Sequence, residues 1–534
     1  MTVKRSRGAA AVAVVVPALV MSAIGLWGID RGGMWRDEAV TFQVARRSLP
    51  QIWHLLHSVD AVHGLYYLLM HPVLAVRADE VALRLPSLCA AAVTAGLVAA
   101  LGARLARPRV GLWAGLLYAV TPMTGHFAQE GRSYALVAAG AAGSTLLLVR
   151  AVGAGRAAPR APCGARGPRG EWCWCVYGGV VAFTVLLHEM AVLVLLAHAA
   201  TLALARVPRR VWWGWGCAAG GVLLVLGPLV LVSSGQAGQV AWLRPPGGGA
   251  VEGLLRSFTG PTRLVLGPYL LLIALALRPP LARRGELSLP AVALPLLLLP
   301  PAALLAVSRH WPLFDDRYVL YALAGAPLLA AAGADRLAGA ATLVRVPRVR
   351  YAATLLGVFA VALAFVAQLP VLRADRDPAR RPDNLAAVSA AAARRMSPGD
   401  PVLFLPALAR RAAVAYPKGF RGTADIALRE PGPVSGTLYG RETGAGELRR
   451  RLGRLDHLWV LAEPYALRSG WYSPEPAEQV KLALVREEFV PRAEFVRKGS
   501  VLRLYVRRPA AAGGEGEITR GPGTPPGPPR PARP

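Results

Sequence analysis

Gly33-Met34-Trp35-Arg36-Asp37-Glu38-Ala39 follows within a few residues of an apolar run that extends from Ala9 to Trp27. Two adjacent carboxylates at the edge of an apolar segment are costly to keep dry, so they mark a polar site at a membrane face. The basic N-terminus, Lys4-Arg5-Ser6-Arg7, resembles that of a signal peptide, but the apolar run is long and no small-x-small cleavage site leads into a soluble remainder. It is read as an uncleaved first span with its N-terminus in the cytoplasm.

Outward from that stretch, the whole composition agrees with a membrane setting. Of 534 residues, 54% are hydrophobic and only 17% charged, and the mean hydropathy is positive. Apolar runs of about 18 residues recur to roughly position 370, as bilayer crossing requires. The formal charge of +30 could suggest nucleic acid. Its arginines instead cluster in short loops between apolar runs, as lipid topology demands, so no nucleic acid is expected. Five cysteines, four of them in apolar segments and Cys163 in a loop, imply no disulfide framework, and Cys173-Trp174-Cys175 is read as structural.

Positive charge sorts the loops. The clusters at Arg104–Arg109, Arg150–Arg169, Arg206–Arg210, Arg278–Arg284 and Arg345–Arg350 are assigned to the cytoplasm. Asp37-Glu38, Gln129-Glu130, His188-Glu189, the 233–260 stretch and Asp315-Asp316 then fall outside. Expected spans are 9–29, 82–103, 110–125, 133–150, 172–187, 190–205, 211–232, 262–278, 288–307, 318–337 and 351–369, eleven in all. Two helices, Leu49–His57 and His63–Val76, are read as interfacial, because the second is short and rich in His, Tyr and Pro. The expected fold is therefore a polytopic α-helical membrane protein with interfacial helices in its first outer loop. Residues 1–370 form the membrane domain. Residues 371–508 form a small extracytoplasmic α/β domain with a helix from Pro382, strands at 401–405, 457–461 and 501–506, and a helix over 476–488. The Gly- and Pro-rich 509–534 tail is expected to be disordered.

An active site facing outward excludes soluble cytosolic nucleotides as donors, unless a nucleotide sugar is exported, and better suits an activated sugar borne on a membrane lipid. Transfer from a lipid phosphate needs a carboxylate base and arginine for the departing phosphate. Asp37 and Glu38 are the catalytic candidates, with Asp37 favoured as base and Glu38 as an orienting or acceptor-binding group. Arg132 and Arg317, each at the outer end of an expected span, are candidate phosphate clamps. Tyrosines can stack on a sugar or anchor the interface.

Four stretches carry a family resemblance. They are Trp35-Arg36-Asp37-Glu38-Ala39; His63-Gly64-Leu65-Tyr66-Tyr67 with Ala82-Leu83-Arg84-Leu85-Pro86-Ser87; Gln129-Glu130-Gly131-Arg132-Ser133-Tyr134; and Asp316-Arg317-Tyr318-Val319-Leu320. Their order resembles the GT-C superfamily of polyprenyl-phosphate-sugar-dependent glycosyltransferases. It is similar in particular to the family that includes protein O-mannosyltransferases, the aminoarabinose transferase of lipid A and the RgtA/B/C/D-like transferases. The resemblance covers about 20–340, and Pro382-Asp383-Asn384 is similar to the start of the outer domain in some members. Gly64 departs from it, standing where many members have Pro. The resemblance implies an inverting hexosyltransferase of the plasma membrane, surrounded by membrane lipids. It would take mannose or another hexose from a polyprenyl-phosphate donor to an extracytoplasmic glycolipid, cell-wall glycan or protein. It also implies substrate-binding roles for His63, Tyr66, Tyr67, Arg132, Tyr134, Arg317 and Tyr318. Hard cations take oxygen ligands, so the acids could hold a divalent metal, but relatives of this pattern work without one and no metal or cofactor is expected. The alternative is a polytopic transporter or lipid flippase, which would place ionisable groups mid-span and often show internal repeats; neither is found.

Overall fold

A computed structural model describes residues 2–157, 168–278, 285–341, 347–380, 383–468, 470–473, 475–497 and 499–509. Cys163, Arg160, Arg166, Arg283, Arg284, Arg345, Pro382 and the tail beyond 509 lie outside the described residues.

Each expected span carries helix, but not each is one unbroken rod. Among the described residues, seven helices are long and apolar enough by themselves to cross a bilayer: Gly8–Leu26, Glu80–Leu105, Tyr134–Ala154, Arg209–Ser234, Leu289–Val307, Asp316–Gly339 and Ala352–Asp375. Trp172–Leu187 and Glu189–Leu204 are apolar but shorter. The segment expected at 110–125 breaks into Pro108–Val120 and Pro122–Phe127. Thr121 is extended there, because the residue before a proline is driven out of the helical region. The segment expected at 262–278 is the short helix Arg263–Ala276, bent by 88° from Ala250–Thr259, so the stretch read as an outer loop carries a helix of its own. The two interfacial helices form as Leu49–Leu56 and Gly64–Val76.

The bundle has two chemically distinct ends. At one, Asp335 receives Arg107 at 2.8 Å and Arg109 at 2.7 Å, Arg336 donates to the carbonyls of Leu275 and Arg278, and Gly285 N–H donates to Ala205 O. The basic loops thus meet one another, with Asp335 as an acid the sequence reading had not placed there. The Glu80–Leu105 helix, about 39 Å long at 1.5 Å per residue, carries Arg104 to this end and Arg84 to the other. At the far end Gln129 donates to the carbonyls of Gly25 and Trp27. It closes the first helix, whose last carbonyls have no partner within their own helix.

Small residues let the helices approach closely where no hydrophobic force separates protein from lipid. A Cβ at Gly333 would stand 1.8 Å from the Leu272 carbonyl oxygen of the neighbouring helix. Gly333→Leu is therefore expected to force the two helices apart at a cost of about 1–3 kcal/mol, read as a lower melting temperature in detergent.

Among the described residues, the C-terminal region expected to lie outside holds seven strands: β1 (Pro401–Leu405), β2 (Ala424–Asp425), β3 (Leu428–Glu430), β4 (Arg441–Glu442), β5 (His457–Ala462), β6 (Phe489–Arg497) and β7 (Ser500–Arg507). Five of them form a mixed sheet in the order β2-β1-β5-β7-β6, and β3 pairs with β4. β1 is parallel to β2 and β5, whereas β7 runs antiparallel to β5 and β6. Buried on both faces, β1 reads as the continuous apolar run Pro401-Val402-Leu403-Phe404-Leu405. The helices Leu385–Ala393 and Pro476–Glu488 complete the layers. This region docks on the loop that follows the first helix. Arg47 donates to the carbonyls of Thr437, Leu438 and Gly432, and Ser58 donates to Gly436 O at 2.8 Å.

Candidate active site

The stretch that carries Asp37 and Glu38 is a turn followed by a helix. Gly28 and Gly32 take positive φ, and the helix Arg36–Ala45 then begins with both acids in its first turn, where the helix dipole favours negative charge. Trp35 has no side-chain acceptor to cap the helix. Glu38 supplies half of a capping box instead, accepting the Trp35 backbone N–H at 3.4 Å.

Adjacent in sequence, the two carboxylates point in different directions and do different work. The Glu38 side chain is 1% exposed and meets Arg84, 0% exposed, in a two-pronged pair with both bonds at 2.8 Å. Glu38 also accepts the Gly131 N–H at 3.0 Å. Arg84 donates onward to the carbonyls of Ile29, Arg31 and Gly33, so one guanidinium knits the loop to the Glu80–Leu105 helix. Asp37 is 24% exposed and accepts from Arg317 Nη1 at 3.0 Å. Arg317 also touches Asp315 at 3.3 Å, and its guanidinium faces the rings of Trp35, Tyr134, Trp242 and Tyr318 at 5.6–5.9 Å. Aromatic faces of this kind stabilise a cation.

Arg132 lies beside this pair in a buried polar pocket. Its Nη2 is 2.6 Å from His63 Nε2, and its Nη1 reaches Thr41 Oγ1 at 3.4 Å. Arginine can only donate, so His63 Nε2 accepts and the imidazole proton stands on Nδ1. Burial and then the Arg132 charge hold His63 neutral, far below its ordinary pKa. His188 is pushed down to about 3 by burial, then by Arg132 and Arg317. Its ring lies 4.7 Å from Tyr318, 5.6 Å from Tyr134 and 5.9 Å from His63. Arg132 Nε and His63 Nδ1 are buried without a hydrogen-bond partner, so the pocket keeps donors unspent.

The sequence candidates therefore divide. Asp37, Arg317, Tyr134, Tyr318, Arg132 and His63 converge on one site. Tyr66 and Tyr67, also expected to bind substrate, are fully buried; the Tyr67 hydroxyl donates to Asp60 at 2.8 Å and braces the loop. Sequence reasoning gave no role to Arg84, Asp60, Trp242 or His188. An arginine within the Ala82–Ser87 stretch of an apolar helix was the available signal for Arg84; Asp60 and Trp242 carry no local signature. Among the described residues, no group of three or more His, Cys, Asp or Glu is placed to hold a metal ion.

Glu130 is buried nearby, and burial pushes its carboxyl up to about 7 against the His126 charge. An acid whose folded pKa is raised costs stability once pH exceeds its unfolded value, and the cost grows until the folded pKa is passed. Glu130→Gln removes that cost. The melting advantage of this variant over the wild type is expected to be small at pH 4.5 and to widen up to about pH 7.

No protein-family model matches the chain, and no curated protein matches it by sequence. Solved structures do match its shape. ArnT from Cupriavidus metallidurans in the apo state superposes with a TM-score of 0.56 at 12% identity, over 92% of this chain and 97% of that chain. The same protein bound to undecaprenyl phosphate gives 0.55 at 13% identity, with the same coverage. The apo oligosaccharyltransferase of Archaeoglobus fulgidus gives 0.54 at 11% identity, over 92% of this chain and 74% of that one. This multi-pass membrane protein thus shares its fold with the ArnT and oligosaccharyltransferase structures.

Proposed function

We propose that the chain is a membrane glycosyltransferase that moves one sugar, mannose or another hexose, from a polyprenyl phosphate to an extracytoplasmic acceptor with inversion. One observation carries the reading: of two neighbouring acids, one is sealed against Arg84 and the other stands partly open against Arg317 within a ring of aromatic side chains. The likeness in shape to ArnT, which binds undecaprenyl phosphate, supports a lipid phosphate as donor.

In this reading the acceptor hydroxyl gives its proton to Asp37 as its oxygen attacks the anomeric carbon. The bond from that carbon to the phosphate oxygen breaks, and the phosphate leaves with the electron pair. Arg317 and Arg132 receive the growing negative charge, in a pocket where few solvent dipoles compete. His63 and His188, both held neutral, stand beside the two guanidinium groups as dipoles and leave the positive charge to the arginines. Tyr134 and Tyr318 line the sugar side. Glu38 orients the loop, and Tyr66 and Tyr67 support it. The reading assigns no resident metal, consistent with a base already paired to a guanidinium.

The test is transfer of labelled hexose from a polyprenyl-phosphate pool into extracted glycolipid, glycan or protein, in membranes with and without the chain. Label that appears only when the chain is present supports the reading. Uptake of lipid or sugar into vesicles without product formation would favour a transporter instead. Arg317→Lys is expected to lower kcat roughly a hundredfold, since an ammonium cannot reproduce the planar fork that meets Asp37 and Asp315 together.

A further inference from the structure

We propose that Asp383, at the root of the outer domain, is a positioning residue for the Asp37 carboxylate and acts through Arg36; the inference rests on the transferase reading above. Asp383 accepts Arg36 Nε at 2.8 Å, Nη2 at 3.0 Å and the Arg36 backbone N–H at 3.4 Å. The acid is 1% exposed and the arginine side chain 48%, so Asp383 is the fixed end of the pair.

What fixes it is the outer domain. The next residue, Asn384, caps the helix Leu385–Ala393 by accepting the Ala387 N–H at 3.0 Å. Ser389 on that helix donates to the Tyr416 carbonyl at 2.7 Å. The Tyr416 hydroxyl in turn accepts the Met34 N–H at 2.7 Å and donates to Glu80. Both neighbours of Trp35 are therefore tied to the outer domain, at Met34 and at Arg36. On the other flank, Glu38 is tied to the membrane helix through Arg84. Asp37 sits between an anchor in each domain, which is the arrangement that holds a catalytic group to a fraction of an ångström.

The pair has a second consequence. Arg36 precedes the base directly, and successive helical side chains diverge by about 100°. Asp383 keeps that guanidinium on the domain side. Released, it is a mobile cation one residue from a carboxylate that already faces Arg317, and a second guanidinium on Asp37 would compete with the acceptor hydroxyl. Burial favours a neutral Asp383, but the Arg36 hydrogen bond and charge outweigh it and hold the carboxyl below the ordinary range, so the pair is ionised at neutral pH.

The experiment uses full-length protein with a polyprenyl-phosphate hexose donor that the wild type turns over. Asp383→Asn is expected to lower kcat about tenfold with the donor KM unchanged and the size-exclusion profile intact. The double variant Asp383→Asn/Arg36→Gln still lacks the anchor but has no guanidinium left to engage the base, so it is expected to recover part of the lost kcat and to stay below the wild type. A purely structural role would instead lower melting in both variants without recovery, and that result overturns the proposal. So does wild-type kcat in Asp383→Asn, or a loss confined to KM. If Asp37→Asn is inactive while Asp383→Asn is normal, only this inference falls; if Asp37→Asn is fully active, the transferase reading falls with it.

Discussion

Asp37→Asn is expected to abolish measurable sugar transfer from a polyprenyl-phosphate donor while the protein still inserts, purifies and melts like the wild type. The substitution keeps shape and an oxygen acceptor, so Arg317 Nη1 retains a partner at the position where it now lies 3.0 Å from Oδ2. Lost are the charge and the basic lone pair that would take the acceptor proton. A positioned base contributes roughly 10²–10⁴-fold, and loss of the counter-charge to Arg317 adds to this. The measurement is turnover of labelled donor, with the melting curve as control. Wild-type turnover in this variant would remove Asp37 from the chemistry and the proposed mechanism with it. The partly open environment of Asp37 keeps this a clean test, since Arg317 retains Asp315 as a carboxylate partner when the Asp37 charge goes.

The membrane half of the fold was legible because span-length apolar runs and arginine-rich loops are properties of the local sequence. So was the outer domain's core: β1 and β5 read as buried strands, and Pro476–Glu488 as a helix, because their patterning is strong over short windows. The breaks were not. Thr121 parts one expected span because Pro122 follows it, and the 88° bend before Arg263 sits in a stretch whose helix is too polar on one face to stand out. At the site, Asp37 with Arg317 and Arg132 with His63 could be collected by side of the membrane, since unusual polar residues at span ends fell on one face. Which acid would be sealed and which left open was not legible. That depends on Arg84, 46 residues away in sequence from Glu38, and on Asp383, 347 residues away from Arg36. Pairings at such separations leave no periodic trace. They emerge only when the loop after the first helix is folded between the helical bundle and the C-terminal sheet region.

Arg84→Ala carries the largest expected cost to the fold. The variant leaves Glu38 enclosed with its strongest partner gone, and removing one member of a buried pair costs about 3–5 kcal/mol. It also strips the donors from the carbonyls of Ile29, Arg31 and Gly33, the turn that delivers Trp35 and Asp37 to the site. Expression as aggregated or proteolysed protein, or a melting temperature lower by many degrees, is the expected result. Arg84→Lys should rescue little, because an ammonium cannot span both Glu38 oxygens and the loop carbonyls together. The decisive comparison is Arg84→Met/Glu38→Leu. Replacing both charges with apolar groups leaves no ion buried without a partner, and such exchanges are often close to neutral. The double variant is expected to melt nearer to the wild type than Arg84→Ala does, yet to turn over slowly, because the turn carbonyls remain unheld and Asp37 is no longer fixed. Recovery of stability without recovery of rate separates what the Glu38–Arg84 pair does for folding from what it does for the base. A double variant as active as the wild type would show that Asp37 does not depend on its sealed neighbour.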